Sequence, residues 1–173
     1  MTATSSPLAR PGFTYSILLA VGMAAAVGTA LGFQYIGGYI PCALCLLQRQ
    51  PYYYAIPIAI IAAVSSLVGL PNWITRALIL AAGILMLVTA GMGVYHAGVE
   101  WHFWAGPTAC TGSLNNLNAG GSILNQLQSI NVVRCDEAAW RFLGISLAGY
   151  NVLICLAMAA VAFYGMRASR SAN

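Results

Sequence analysis

The sequence predicts an all-α membrane protein, a four-transmembrane-helix bundle, from three observations: its composition, the lengths of its apolar runs and the placement of its arginines. Of 173 residues, 60% are hydrophobic and only 6% charged, against about 25% charged in a soluble domain. A surface so poor in charge would not stay dissolved in water, so lipid must be its main solvent. A chain of this length fits one integral membrane domain, residues 1–173. The net charge of +4 comes from seven Arg and three acidic residues. It is dispersed, with no basic run interleaved with aromatics, so nucleic acid is not an expected partner.

A bilayer core of about 30 Å takes about 20 apolar residues of helix. Four stretches qualify: Phe13–Phe33, about Tyr52–Leu70, Ile74–Tyr95 and Leu143–Tyr164. Lipid offers the backbone no hydrogen-bond partner, which makes helices the default. The polar start, Met1 to Gly12, leads into a run longer than a signal-peptide core with no clear cleavage site after it. The first run is therefore expected to be a retained helix. Small residues at helical spacing predict close helix contacts: Ala24, Gly28 and Gly32, then Gly83, then Gly144 and Ala148.

Arginine placement orients the bundle. Arg10, Arg76, Arg167 and Arg170 fall on one side with no acidic residue. Arg49, Arg134 and Arg141 fall on the other, against Glu100, Asp136 and Glu137. The positive-inside rule then puts both termini in the cytoplasm. Tyr52, Tyr53, Tyr54, Trp101, Phe103 and Trp104 read as an aromatic belt at the outer interface. Two segments face outward, residues 34–51 and the longer 96–142. Within the second, Ser122 to Val133 places Ile123, Leu124, Leu127 and Ile130 at helical spacing. A short surface helix fits there, lying on the membrane or packed on the bundle top.

Four of the five cysteines lie in these outward segments. Cys42 and Cys45 form a Cys-x-x-Cys; Cys110 and Cys135 bracket the centre of the long loop. On an oxidising face two such pairs suggest disulfides. Closing a loop of about 25 residues would stabilise by roughly 3 kcal/mol, so Cys110 and Cys135 are as consistent with a staple as with redox work. The short Cys42–Cys45 ring constrains little chain, and its place at a helix start is that of a redox-active dithiol. Cys155, deep in the fourth run, reads as a packing residue. A zinc site drawn from Cys42, Cys45, His96, His102, Cys110 and Cys135 is disfavoured, because Cys110 and Cys135 lack a close partner cysteine. No metal is expected. Arg49, one turn past Cys45, is placed to lower a thiolate pKa, to hold a polar head group, or simply to snorkel. His96, at the outer end of the third run, is placed to donate a hydrogen bond to the same ligand. Glu100 and His102 are expected to be exposed.

The stretch Pro41-Cys42-Ala43-Leu44-Cys45-Leu46-Leu47-Gln48-Arg49 resembles the signature of the disulfide bond formation protein B (DsbB) family. So do Tyr95-His96, Pro107-Thr108-Ala109-Cys110, and the run from Cys135 to Gly144. The resemblance covers the whole chain. Gln48 departs from relatives that carry an acidic residue there. The resemblance implies a bacterial inner-membrane oxidoreductase that reoxidises a periplasmic, thioredoxin-like (DsbA-like) dithiol carrier. Electrons would pass to a membrane quinone, ubiquinone first and menaquinone second. Cys110 would meet the carrier with Cys135 as its loop partner. Cys42 and Cys45 would receive the electrons, and Cys45, Arg49 and His96 would lie beside the quinone.

Two other readings fit parts of the pattern. A vitamin K epoxide reductase-like enzyme has four helices and two cysteine pairs, but its loop pair precedes the Cys-x-x-Cys. A non-enzymatic tetraspanning protein would hold its loops with stable disulfides and bind no quinone.

Overall fold

The fold is a computed structural model that describes residues 10–107, 131–132, 135–136, 138 and 140–170. Cys110 and residues 122–130 of the expected surface helix lie outside the described residues. Four long helices are present among the described residues: α1 (Pro11–Tyr35), α2 (Ala43–Leu67), α3 (Asn72–Glu100) and α4 (Leu147–Ala168). Three of them, α1, α3 and α4, are long and apolar enough to cross a membrane. α2 is 25 residues long and runs through Pro51 and Pro57 without a break. α1 packs on α2 and α4, and α3 packs on the same two helices, so α1 and α3 sit across a diagonal.

The bundle is built for an apolar solvent. Val21, Ile61 and Leu153 on its outside are more than half exposed, while the shared core is small. Leu19, Met23, Ala55, Ala59, Ile79, Ala82, Met86 and Ala162 form its centre. Lipid tails are as apolar as this core, so association depends on van der Waals contact and close approach. Gly83 provides one such approach: a Cβ there would lie 2.8 Å from the Ala162 Cβ. Gly28 and Gly32 do not, since nothing lies within 4 Å of a Cβ built at either, and Ala24 is exposed. The spacing in α1 therefore marks an outward face instead of a helix contact. Gly144 is not helical at all.

The helix ends decide where the site residues go. α2 starts at Ala43, nine residues before the expected apolar run, with Cys42 as its N-cap: the Cys45 backbone N–H donates to Cys42 Sγ at 3.3 Å. Thus Cys45 and Arg49 occupy the first two turns of one helix. α3 continues to Glu100, five residues beyond the expected Tyr95. Trp104 folds back over this extra turn, stacking on Tyr95 and donating from Nε1 to the Tyr95 carbonyl at 2.9 Å. Gly98 leaves the room, since any Cβ there would strike the Trp104 ring.

α4 starts four residues later than expected. Arg141–Phe142 and Ile145–Ser146 pair as a tight antiparallel hairpin, β3 and β4. Its turn residues, Leu143 and Gly144, both have positive φ, 49° and 81°. That is the geometry a two-residue hairpin selects, and it overrides the helical apolar spacing. Ser146 then caps α4, accepting from the Gly149 N–H at 3.2 Å. A second two-strand pair is parallel: β1 (Tyr39–Ile40) runs beside β2 (Asn131–Val132). Asn131 and Val132 are thus extended, where the sequence placed them at the end of a surface helix. The pair ties together the two segments expected to face outward, just ahead of Cys42 and Cys135.

Candidate functional site

The tie between β1 and β2 has a direct chemical result. Cys42 follows Ile40 by two residues and Cys135 follows Val132 by three, and both cysteines are fully buried against Leu44 and Val99. A sulfur from each and a ring nitrogen of His96 all lie within 4.8 Å of one another. Such a trio resembles part of a metal ligand set. However, Cys42 Sγ is already 2.8 Å from Cys45 Sγ, and thiol–disulfide exchange requires sulfurs to approach in the same way.

Cys45 packs against this cluster and also reaches a second environment. It lines a cavity of about 440 Å³ enclosed mainly by α1, α2 and α4, together with Arg49, Phe33, Trp140, Phe142 and Tyr150. Most of that lining is apolar. Trp140 stacks on Phe142 with ring centroids 5.6 Å apart and lies 6.3 Å from Phe33. The polar points are few, as in sites for apolar small molecules. Arg49 is held from α1, donating to Gln34 Oε1 at 2.5 Å and to the Ala30 carbonyl at 3.4 Å. A guanidinium has five N–H donors, so these two bonds fix its position and leave others for a ligand.

His96 also lines the cavity, yet it is buried and tightly committed. Its Nδ1 lies 2.7 Å from Gln48 Nε2. Its Nε2 lies 3.8 Å from both Cys42 Sγ and Glu100 Oε1. Glu100, expected to be exposed, is 7% exposed because α3 runs on past Tyr95 and brings it one turn beyond His96. Its Oε2 has no hydrogen-bond partner among the described residues. His102 is exposed, as expected.

The two cysteines of the motif, both ahead of the apolar part of α2, are electrostatically unequal. Cys42 is pushed up to about 12, first by its hydrogen bond to Cys45 and then by burial, with His96 pulling the other way. Cys45 moves down, chiefly because Cys42 donates to it. Burial and Cys135 oppose that shift, while the Cys42 backbone and Arg49 favour it. Cys45, which lines the cavity, is therefore the one disposed to carry negative charge, and Cys42 holds the proton.

Reading the sequence alone missed Gln48, Asn151 and Tyr52 as members of this site. Asn151 Nδ2 donates to Gln48 Oε1 at 2.8 Å, and Tyr52 Oη donates to Asn151 Oδ1 at 2.8 Å. Tyr52 is 3% exposed and points inward, unlike the exposed Tyr53 and Tyr54 beside it. Cys155, read as a packing residue, does sit in the core, with its sulfur 3.1 Å from Tyr52 Oη. One signal was available: Asn151 is the only amide side chain in α4, and a polar group inside an apolar helix needs a partner or a task.

The model of the family of disulfide bond formation protein DsbB matches residues 13–165. The chain belongs to the DsbB family. It is similar to a disulfide bond formation protein B of Aromatoleum aromaticum, 33% identical over 83% of this chain and 87% of that one. A disulfide bond formation protein B of Albidiferax ferrireducens is 27% identical over 82% and 78% of the two chains. An uncharacterized protein of Rickettsia prowazekii is 35% identical over 76% and 75%. No solved structure matches. Family membership and three helices apolar enough to span make this a membrane protein of disulfide bond formation, and the DsbB match identifies a disulfide oxidoreductase.

Proposed function

We propose that this DsbB-family chain reoxidises a periplasmic, thioredoxin-like dithiol carrier and passes two electrons to a membrane quinone. One observation carries the reading: Cys45 lines an apolar cavity beside Arg49, while its partner Cys42 lies within 4.8 Å of Cys135 in the buried cluster against which Cys45 packs. The Cys-x-x-Cys thus adjoins both Cys135, the route from a soluble electron source, and a cavity suited to an apolar ligand.

The exchange balances in three steps. A carrier thiolate attacks Cys110 of a Cys110–Cys135 disulfide, and the carrier's second thiol releases it, leaving an oxidised carrier and a loop dithiol. The loop dithiol then reduces a Cys42–Cys45 disulfide through Cys135 and regains its own. Finally the Cys42–Cys45 dithiol returns to the disulfide, giving up two electrons and two protons. A bound quinone, ubiquinone or menaquinone, supplies the oxidant for that last step. Arg49 would hold its polar edge, and His96 would lie beside it. Phe33, Trp140 and Phe142 would pack its apolar body and exclude water.

The same reading assigns the apolar part of α2, from Tyr52 on, as the fourth span and residues 1–173 as one integral domain of a bacterial inner membrane, with both termini cytoplasmic. The arginines support this orientation. Arg10 donates to the Ser66 and Leu67 carbonyls at 2.9 and 3.1 Å, beside the N-terminus of α3 and the end of the bundle that bears Arg167 and Arg170. Cysteine accessibility from each face of inverted and right-side-out vesicles tests it. Labelling of an N-terminal cysteine from the periplasmic face would overturn the orientation. For the chemistry, purified protein with a reduced carrier and added quinone is expected to yield hydroquinone. Carrier oxidation that proceeds equally well without any quinone would contradict the assignment.

A further inference from the structure

The buried polar groups behind the cysteine pair form one continuous file across three helices, and from Tyr52 through Asn151 and Gln48 to His96 its hydrogen bonds point the same way. Its direction is fixed at Gln48. The Leu44 carbonyl oxygen can only accept, and the Gln48 amide atom 3.3 Å from it must therefore be Nε2. That same nitrogen faces His96 Nδ1 at 2.7 Å, so Nδ1 presents its lone pair. Gln48 Oε1 is then left to accept from Asn151 Nδ2. Asn151 Oδ1 accepts from Tyr52 Oη at 2.8 Å and from the Cys155 thiol at 3.8 Å. In a neutral imidazole with its Nδ1 lone pair engaged, the proton is on Nε2. Nε2 faces Cys42 Sγ and the Glu100 carboxylate.

We propose that Gln48 and Asn151 are positioning residues that hold His96 as the Nε2–H tautomer, so that it donates to Cys42 and leaves Cys42 free to donate only to Cys45. The other tautomer would turn a lone pair toward Cys42 and take its proton. Cys45 would then lose the donor that favours its thiolate. A file of aligned hydrogen bonds also polarises along its length, and here it ends on Cys45, which lines the cavity. The lowered pKa of Cys45 and the raised pKa of Cys42 agree with that direction. Among the described residues, the other titratable or charged groups around the pair are Arg49 from α2, Glu100 from α3, Tyr150 from α4, and Tyr39 and Cys135 from the connecting segments; α1 contributes Thr29 and Gln34, neither of which is charged. This inference rests on the redox role proposed for Cys42 and Cys45.

The test uses the full-length reduced chain in detergent, with ¹⁵N-labelled histidine and His102→Gln so that His96 alone reports. The expected spectrum at pH 7 shows a protonated Nε2 and an unprotonated Nδ1. Gln48→Glu, nearly isosteric, presents an acceptor to Nδ1 and is expected to put a proton there. It should also slow iodoacetamide alkylation of Cys45 at pH 7 roughly tenfold, the scale of one hydrogen bond to a charged sulfur. Asn151→Leu unhooks Gln48 without touching His96 and should replace the single tautomer by exchange between two. A wild-type His96 protonated on Nδ1, or variants that leave both spectrum and alkylation unchanged, would overturn the inference. The wild-type spectrum decides it even if a variant fails to fold. None of these readouts involves quinone. An expected His96 spectrum in a chain that cannot reduce quinone would therefore sink the proposed function and spare this inference.

Discussion

The two ends of the bundle use the same four helices in opposite ways. At the arginine end, close packing leaves little space and buried hydroxyls are answered locally. A Cβ on Gly165 would lie 2.6 Å from Tyr15 Cβ, and one on Gly12 would lie 3.1 Å from both Ser66 and Thr75 side chains. Ser65 bonds Thr75 at 2.7 Å across the turn between α2 and α3. At the thiol end the helices spread around a cavity, and polar groups bond in a file that crosses α2, α3 and α4. The contrast teaches that stability and chemistry are largely separated along the bundle axis. Substitutions at one end should change how much protein folds; substitutions at the other should change what the folded protein does.

The sharpest way to break that separation is at the thiol end. Cys45→Ser or Cys42→Ser is expected to reduce quinone turnover to background while leaving thermal unfolding nearly unchanged. Retained turnover in either would show that the electrons take another route. Gly165→Val attacks the other end: overpacking of this kind typically costs about 1–3 kcal/mol. A lower melting temperature is expected, with unchanged kcat per folded molecule, and a large kcat defect would erase the distinction between the ends.

Arg49→Gln is expected to raise the quinone KM about tenfold, the loss of one charge-assisted hydrogen bond, with a smaller change in kcat. An unaltered KM would return Arg49 to a merely interfacial role. The inequality of the cysteines gives a pH dependence. In the reduced protein, Cys45 should alkylate at neutral pH while Cys42, raised to about 12, stays unmodified until strongly alkaline conditions. The Cys45 rate should fall as pH drops through its lowered pKa, because the thiolate is the nucleophile. Peptide mass spectrometry reads both, and equal labelling of the two would refute the assignment. The smallest effect belongs to the hairpin. Leu143 holds φ 49° while 84% exposed. Leu143→Asn should stabilise by about 1 kcal/mol, since asparagine tolerates that backbone region better.

Much of this was legible in the sequence, and for physical reasons. Run length and the lack of charge located the helices, because lipid restricts spans to a narrow range of lengths. The Cys42–Cys45 motif and Arg49 were legible because their spacing is local and helical. What local spacing does not encode was lost. The start of α4 was misplaced because a two-residue turn at Leu143 and Gly144 interrupts an otherwise apolar run. Glu100 was expected in solvent because apolarity ends at Tyr95, while α3 itself continues beneath Trp104. The link from Gln48 to Asn151 joins residues 103 apart in the chain, and no periodicity in either helix announces it.

The central claim is that one chain couples a soluble dithiol to the membrane through Cys42 and Cys45. Its most direct measurement is the stoichiometry of a single reaction, with purified protein, a known amount of reduced DsbA-like carrier and excess quinone. The expected result is one hydroquinone formed for each carrier disulfide formed. Carrier disulfides appearing without matching hydroquinone, or no reaction from a folded chain, would contradict it.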